Sequence, residues 1–214
     1  MILNEFHSAF DGGCQWRISP AGCEVRGFDA LPPPQYVTGL TAALDTFAGP
    51  LAAASREFSV PVELLCATMM TESNGRPGAV RKEPGYTSDE QTPHRISFGL
   101  CQLLISTARE AMGDPRIDRA WLTSPANNLR AAAAYIKRQK TRTGFDPPKV
   151  ACAYNAGGCY EQKGEKNHWR MRQYPIGTSE HADRFVRWFN AAWVLSKTGK
   201  LGAESAYRFE DFLK

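Results

Sequence analysis

Residues 14–28, CQWRISPAGCEVRGF, alternate apolar and polar positions on both sides of Ser-Pro-Ala-Gly, which predicts a short β-hairpin. The run LPPPQ at 31–35 stops regular structure and marks a boundary. From Thr38 onward the apolar period becomes helical. TGLTAALDTFAG and PLAAASREFS read as two short helices, the first closed by Gly49 and the second opened by Pro50. SVPVELLCATMMTES follows, with Ser59 as candidate N-cap and Pro61 at the helix start. Residues 74–98 then form a long polar segment with Gly and Pro, a length of loop uncommon in compact domains unless it serves function.

Helical pattern returns in STAREAMG and again in SPANNLRAAAAYIKRQKTRTG, where Ser124 is a candidate N-cap, Pro125 sits in the first turn and Gly144 follows the end. DPPKVACAYNAGG predicts a further helix with a Gly stop signal. TSEHADRFVRWFNAAWVLSK is strongly amphipathic, with Phe185, Trp188, Phe189, Ala192 and Trp193 on one stripe. Core packing is the expected use of that stripe, with a membrane-binding face as the alternative. No internal repeat is visible. The expected fold class is mostly α (α+β): a helical domain over 36–214 preceded by a small β-hairpin extension over 1–35.

Composition narrows the class without naming a chemistry. At 214 residues, 43% hydrophobic and 22% charged, the chain is ordinary globular protein. No apolar run approaches the roughly 20 residues that span a bilayer. The opening MILNEFHSAFDGGC carries an early acid and neither a basic nor a long apolar region, so no cleaved secretory signal is expected. The net charge of +4 suits an acidic polymer but is too small to demand one. Among six cysteines, Cys66, Cys101 and Cys152 lie in apolar surroundings, where a thiol behaves as a small buried hydrophobe. Cys14 and Cys23 flank the hairpin and are candidates to pair. Cys152 and Cys159 form no CxxC, and no His stands at metal-ligand spacing from them, so no metal site is expected.

The informative residue is Glu72. Its spacing from Leu65, Thr68 and Met69 puts it on the stripe expected to face inward, at the point where the helix stops. Partial exclusion of water raises a carboxyl pKa and suits it to act as a general acid near neutral pH. The competing reading is a helix-terminal Glu whose stem packs while its head reaches water. Three clusters bear on the choice. ISFGLCQLLISTA places Ser97, Gly99 and Gln102 in a tight turn before a helix, ACAYNAGG places Tyr154 and Asn155 at a helix end, and HWRMRQY supplies aromatics and donors.

Taken together, TES, GLCQ and AYNAG, in that order and each at a helix boundary, resemble the soluble lytic transglycosylases, peptidoglycan-cleaving enzymes with a lysozyme-like fold. The resemblance covers roughly residues 50–195 and extends to bacteriophage lysins and virion wall-degrading enzymes of this type. Cys101 stands where the family usually has Met, residues 74–98 are longer than the usual link, and SEHADRFV places Glu180 or His181 where the family often carries an acid.

The resemblance implies that Glu72 is the single catalytic acid, cleaving the MurNAc–GlcNAc β-1,4 bond and leaving a 1,6-anhydro end. It implies Ser73, Ser97, Gly99, Gln102, Tyr154 and Asn155 as substrate-binding or orienting residues. Peptidoglycan glycan strands are the implied partner, reached in the periplasm by phage delivery or at lysis. No cofactor, metal or nucleic acid is expected, membrane contact is not expected, and a monomer is. A hydrolytic muramidase of the goose-lysozyme kind, with Glu83, Asp89 or Glu90 activating water, is the alternative within the enzymes. A non-catalytic wall-binding module is the alternative outside them. His94 and Arg95 are candidates to line a sugar cleft, and Trp16 and Arg17 to stack on sugar, with packing the simpler use of Trp16.

Overall fold

A computed structural model describes residues 4–202 and 206–213. The hairpin consists of β1 (Trp16–Ser19) and β2 (Gly22–Val25), antiparallel with Trp16 opposite Val25 and Ile18 opposite Cys23. Trp16 and Ile18 are fully buried and join the same core as the helices. This register sets Cys23 across from Ile18 and leaves Cys14 outside the ladder, so the expected pair does not form and both thiols are free. Cys23 is instead held by Asn190, whose side chain accepts from its N–H at 2.8 Å and donates to its carbonyl at 2.9 Å.

The Pro run does not end structure; it starts it. Helix α1 (Pro34–Phe58) begins on Pro34, whose missing N–H costs nothing in a first turn, and continues through Gly49 and Pro50 as one helix. An internal proline costs about 3 kcal/mol. Here Leu40, Leu44, Phe47, Leu51 and Ala54 keep a single buried stripe across the proline. Burying a large apolar side chain contributes about 1.5–3 kcal/mol, so the stripe outweighs the break. Ser59 closes α1 in the left-handed region at φ 50° rather than capping the next helix.

Helix α2 (Val62–Ser73) has Pro61 before it, and its first N–H is satisfied by the Tyr207 carbonyl at 2.9 Å. The sequence suggested one inward stripe, but Val62 to Thr71 are buried all round, because α2 runs through the middle of the molecule against α1 and the helices α5 (Pro125–Arg138) and α8 (Glu180–Lys197). Even Glu63 is fully buried, accepting from Ser196 Oγ and the Phe209 N–H at 2.9 Å each.

Residues 74–98 are not loop throughout. They contribute β3 (Val80–Lys82) and β4 (Ile96–Phe98), which join β5 (Leu103–Leu104) in an antiparallel sheet of order β3-β4-β5. Helix α3 (Ile105–Met112) follows as expected, then a short unforeseen α4 (Arg119–Thr123). The segment expected as one helix over 124–144 is two, α5 and α6 (Lys140–Thr143). The break falls at Gln139, whose buried amide donates to the Ala153 carbonyl of α7 (Pro147–Ala156) at 2.9 Å. Gly157, at φ 78°, ends α7. Phe185, Trp188, Phe189, Ala192 and Trp193 of α8 are all buried, so its aromatic stripe is core. A short α9 (Phe209–Leu213) packs Phe209 against Phe189 and Trp193. Among the described residues no helix is long and apolar enough to cross a membrane.

Candidate active site

Glu72 lies in the last turn of α2, its side chain 17% exposed. Burial pushes its carboxyl up to about 7, against the opposing pull of the Arg184 and then the Arg81 guanidinium. Desolvation therefore wins over two nearby cations, and the group holds a proton near neutrality.

Two depressions meet at this carboxyl. One, of about 530 Å³, is bordered by Arg76, residues 78–80, Arg81 and Gln102. The other, of about 490 Å³, is bordered by Tyr36, Gly39, Met70, Arg184 and Trp188. Glu72 and Arg76 line both. The acid thus sits at the waist of a cleft with three arginines along it and an aromatic pair, Tyr36 and Trp188, with ring centres 4.2 Å apart, in one arm.

The turn after β4 forms one wall, and its residues chiefly hold one another. Gly99 takes φ 75°, and a Cβ there would lie 2.5 Å from Asn128 Nδ2. That close approach lets the buried Asn128 accept from the Cys101 N–H at 2.9 Å and donate to the carbonyls of Phe98 and Leu122. Gln102 stands at φ 45°, accepting from Ser97 Oγ at 3.1 Å and donating to the carbonyls of Gly99 and Ala79. Ser73 is 2% exposed. Its hydroxyl donates to the Leu100 carbonyl at 2.7 Å and accepts from the Arg76 N–H, tying the end of α2 to the same turn. Ser97 and Gly99 are therefore buried parts of the wall, while Gln102 borders the first depression and Ser73 the second.

Tyr154 donates to the Cys101 carbonyl at 2.8 Å, and burial keeps its phenol neutral, with Cys101 and Glu72 adding to the upward shift. Asn155 accepts from the Tyr174 N–H at 2.6 Å and faces His181 Nδ1 at 3.5 Å. His181, 3% exposed, places Nε2 3.7 Å from Glu72 Oε1, whereas Glu180 is exposed at the helix start.

The loop acids are otherwise engaged. Glu83 pairs with Arg81 at 2.9 Å. Asp89 pairs with Arg119 at 2.8 Å and accepts from Tyr86, and the Arg119 guanidinium holds its carboxyl below the usual range. Glu90 and His94 are exposed, and Arg95 bonds the Pro84 carbonyl. Trp16 is fully buried, donating to Asp146 Oδ1 at 2.7 Å, so it has no face for a sugar; Arg17 pairs with Glu24. Sequence reasoning passed over Arg76, Arg81, Arg184 and Tyr36. Exposed arginines carry no periodic signal, and only the fold gathers them at one carboxyl.

A buried helix ending on a protonatable carboxyl, inside a cleft walled by a small sheet and a Gly turn, is the arrangement of a lysozyme-like fold. The family model described as Transglycosylase SLT domain matches residues 50–174, more than half of the chain, and the protein belongs to that family. The fold is similar to that of the lytic transglycosylase Slt of Pseudomonas aeruginosa, solved as an inactive glutamate-to-glutamine mutant: TM-score 0.52, 18% identity, covering 72% of this chain and 25% of that one. The chain thus spans about a quarter of that protein's length. No curated protein matches it in sequence.

Proposed function

We infer that the protein is a peptidoglycan lytic transglycosylase in which Glu72 is the single acid and base. The observation that carries this reading is a carboxyl pushed up to about 7 by burial at the waist of a two-armed cleft. A glycosidic oxygen needs a proton as its bond to the anomeric carbon breaks, and an acid of that pKa still holds one at neutral pH. Glu83 and Asp89 are held by Arg81 and Arg119, and none of the three loop acids, the exposed Glu90 included, borders either depression at Glu72. The single-acid route meets the demand: the N-acetyl carbonyl of the muramyl sugar supports the anomeric carbon, the sugar's own C6 hydroxyl replaces the leaving oxygen, and its proton returns to Glu72.

Gln102 and residues 78–80 border one arm, and Tyr36 with Trp188 form an apolar wall in the other. Arg76, Arg81 and Arg184 suit a polymer whose peptide stems carry carboxylates. The test is mass spectrometry of the muropeptides released from purified sacculi. Anhydro-muramyl ends, lighter by one water than hydrolysed ends, are expected from the wild type and none from Glu72→Gln. Reducing muramyl ends, or undiminished release by the variant, would overturn the reading.

A further inference from the structure

Tyr174, Asn155, His181 and Glu72 form a polar line into the cleft. A backbone N–H can only donate, so the 2.6 Å bond from Tyr174 fixes Asn155 Oδ1 as the acceptor and turns Asn155 Nδ2 toward His181 Nδ1, 3.5 Å away. With Nδ1 as the acceptor for that NH₂, in competition with the Ala151 carbonyl that also faces the ring, the imidazole proton lies on Nε2. Nε2 is the atom aimed at Glu72 Oε1, at 3.7 Å, and it has no hydrogen-bond partner although the ring is buried.

We propose that His181 is a positioning residue for the cleavage step, a neutral imidazole whose Nε2–H is held ready for the carboxylate that Glu72 becomes on giving up its proton. The proposal rests on Glu72 being the acid. At 3.7 Å the contact is too long for a hydrogen bond in the resting protein, and a charged acceptor would draw it in. The O–H bond of Glu72 breaks as the glycosidic C–O bond breaks and takes the proton; when the C6 oxygen bonds to the anomeric carbon, its proton restores the carboxylic acid. His181 keeps the same proton throughout.

Neutrality is what the position requires. A cation there would ionise Glu72 before substrate arrived, and an apolar side chain would leave the nascent carboxylate unsolvated. The surroundings enforce it. Glu72 faces the ring from α2, Arg184 from α8 itself, and the Asn155 amide and Ala151 carbonyl from α7; Arg81, Tyr154 and Cys101 lie around the Glu72 carboxyl. Burial first, then the Arg184 charge, pushes the imidazole down to about 3, with the Ala151 carbonyl opposing.

Three measurements test this together. Long-range ¹⁵N–¹H correlation of the His181 ring should show the Nε2–H tautomer unchanged from pH 5 to 8. His181→Leu should lower kcat about 10- to 100-fold, the range for a hydrogen bond to a charged group, with KM within about twofold. Its basic pH limb should move upward, because the ionised acid has lost a donor. His181→Gln, which retains a nitrogen donor at similar reach, should recover most of kcat and return the limb.

An Nδ1–H tautomer, titration of the ring between pH 5 and 7, or a Gln variant no better than Leu at equal thermal stability would overturn the role. Glu72→Gln, assayed alongside, separates the two ideas. A fully active Glu72→Gln removes the acid itself. An inactive one beside a His181→Leu protein of wild-type rate and pH limb removes only His181.

Discussion

At Glu72 the fold gives up stability for a proton. A carboxyl whose folded-state pKa is raised from 4.5 to about 7 stabilises the fold fully below 4.5, and that contribution is lost as pH rises through about 7. Glu72→Gln keeps the shape and cannot ionise. It should therefore leave the unfolding free energy nearly unchanged at pH 4 and raise it by roughly 2 kcal/mol at pH 8, allowing for the partial exposure of the side chain. Urea unfolding at the two pH values checks this. Equal stability of the two proteins at pH 8 would mean that the carboxyl is well solvated. A second residue-scale expectation concerns Asn128, whose amide makes two bonds to the turn that walls the cleft and a third to Leu122 of α4. Asn128→Ala strands buried backbone groups, each worth about 1–3 kcal/mol, and should lower the unfolding midpoint and the activity together.

Among the elements, the hairpin depends on one buried acid. Asp146, 2% exposed at the start of α7, accepts from Trp16 Nε1 at 2.7 Å and pairs with His7 Nε2 at 2.8 Å. Asp146→Ala leaves the fully buried indole N–H unpaired and should cost about 2–4 kcal/mol, with Trp16 becoming accessible to a fluorescence quencher. The Asp146 bond raises the His7 pKa above 6.5, so its stabilising contribution is complete below 6.5 and fades as pH rises through the higher folded value. In Asp146→Ala that part of the pH dependence should vanish.

Elements defined by long patterns, such as α7 and α8, were legible in the sequence, as was the hairpin, because each carries its own period or turn residues. The apparent break at Gly49-Pro50 was misleading because local propensity favours a stop there, whereas the buried stripe of α1 is a tertiary fact. The sheet strands of three, three and two residues were too short to show a period of two. At the site, Glu72 stood out as an acid at a helix end. That the hydroxyls of Ser73 and Ser97 bond within the wall could not be read, since it depends on a backbone carbonyl 27 residues away and a side-chain amide 5 residues away.

For the molecule as a whole, a net charge of +4 is small, and its placement matters more than its size. Arg76, Arg81 and Arg184 border a cleft whose acid is about half protonated near pH 7, so even with Glu83 paired to Arg81 the cleft presents net positive potential to an approaching strand. Arg184 also lowers the Glu72 pKa, so one substitution should produce two separable effects. In Arg184→Gln the loss of attraction should reduce kcat/KM on sacculi about three- to tenfold at low ionic strength, the scale of about 1 kcal/mol expected for an exposed charge. That deficit should shrink toward nothing at about 0.5 M salt, where the screening length falls to a few ångströms. Loss of the same cation should move the basic limb of the pH profile upward, because nothing replaces its support for the carboxylate, and the local shift should persist when salt has erased the binding deficit. A salt-independent loss with an unmoved limb would assign Arg184 to the scaffold and leave the electrostatics of the cleft to Arg76 and Arg81.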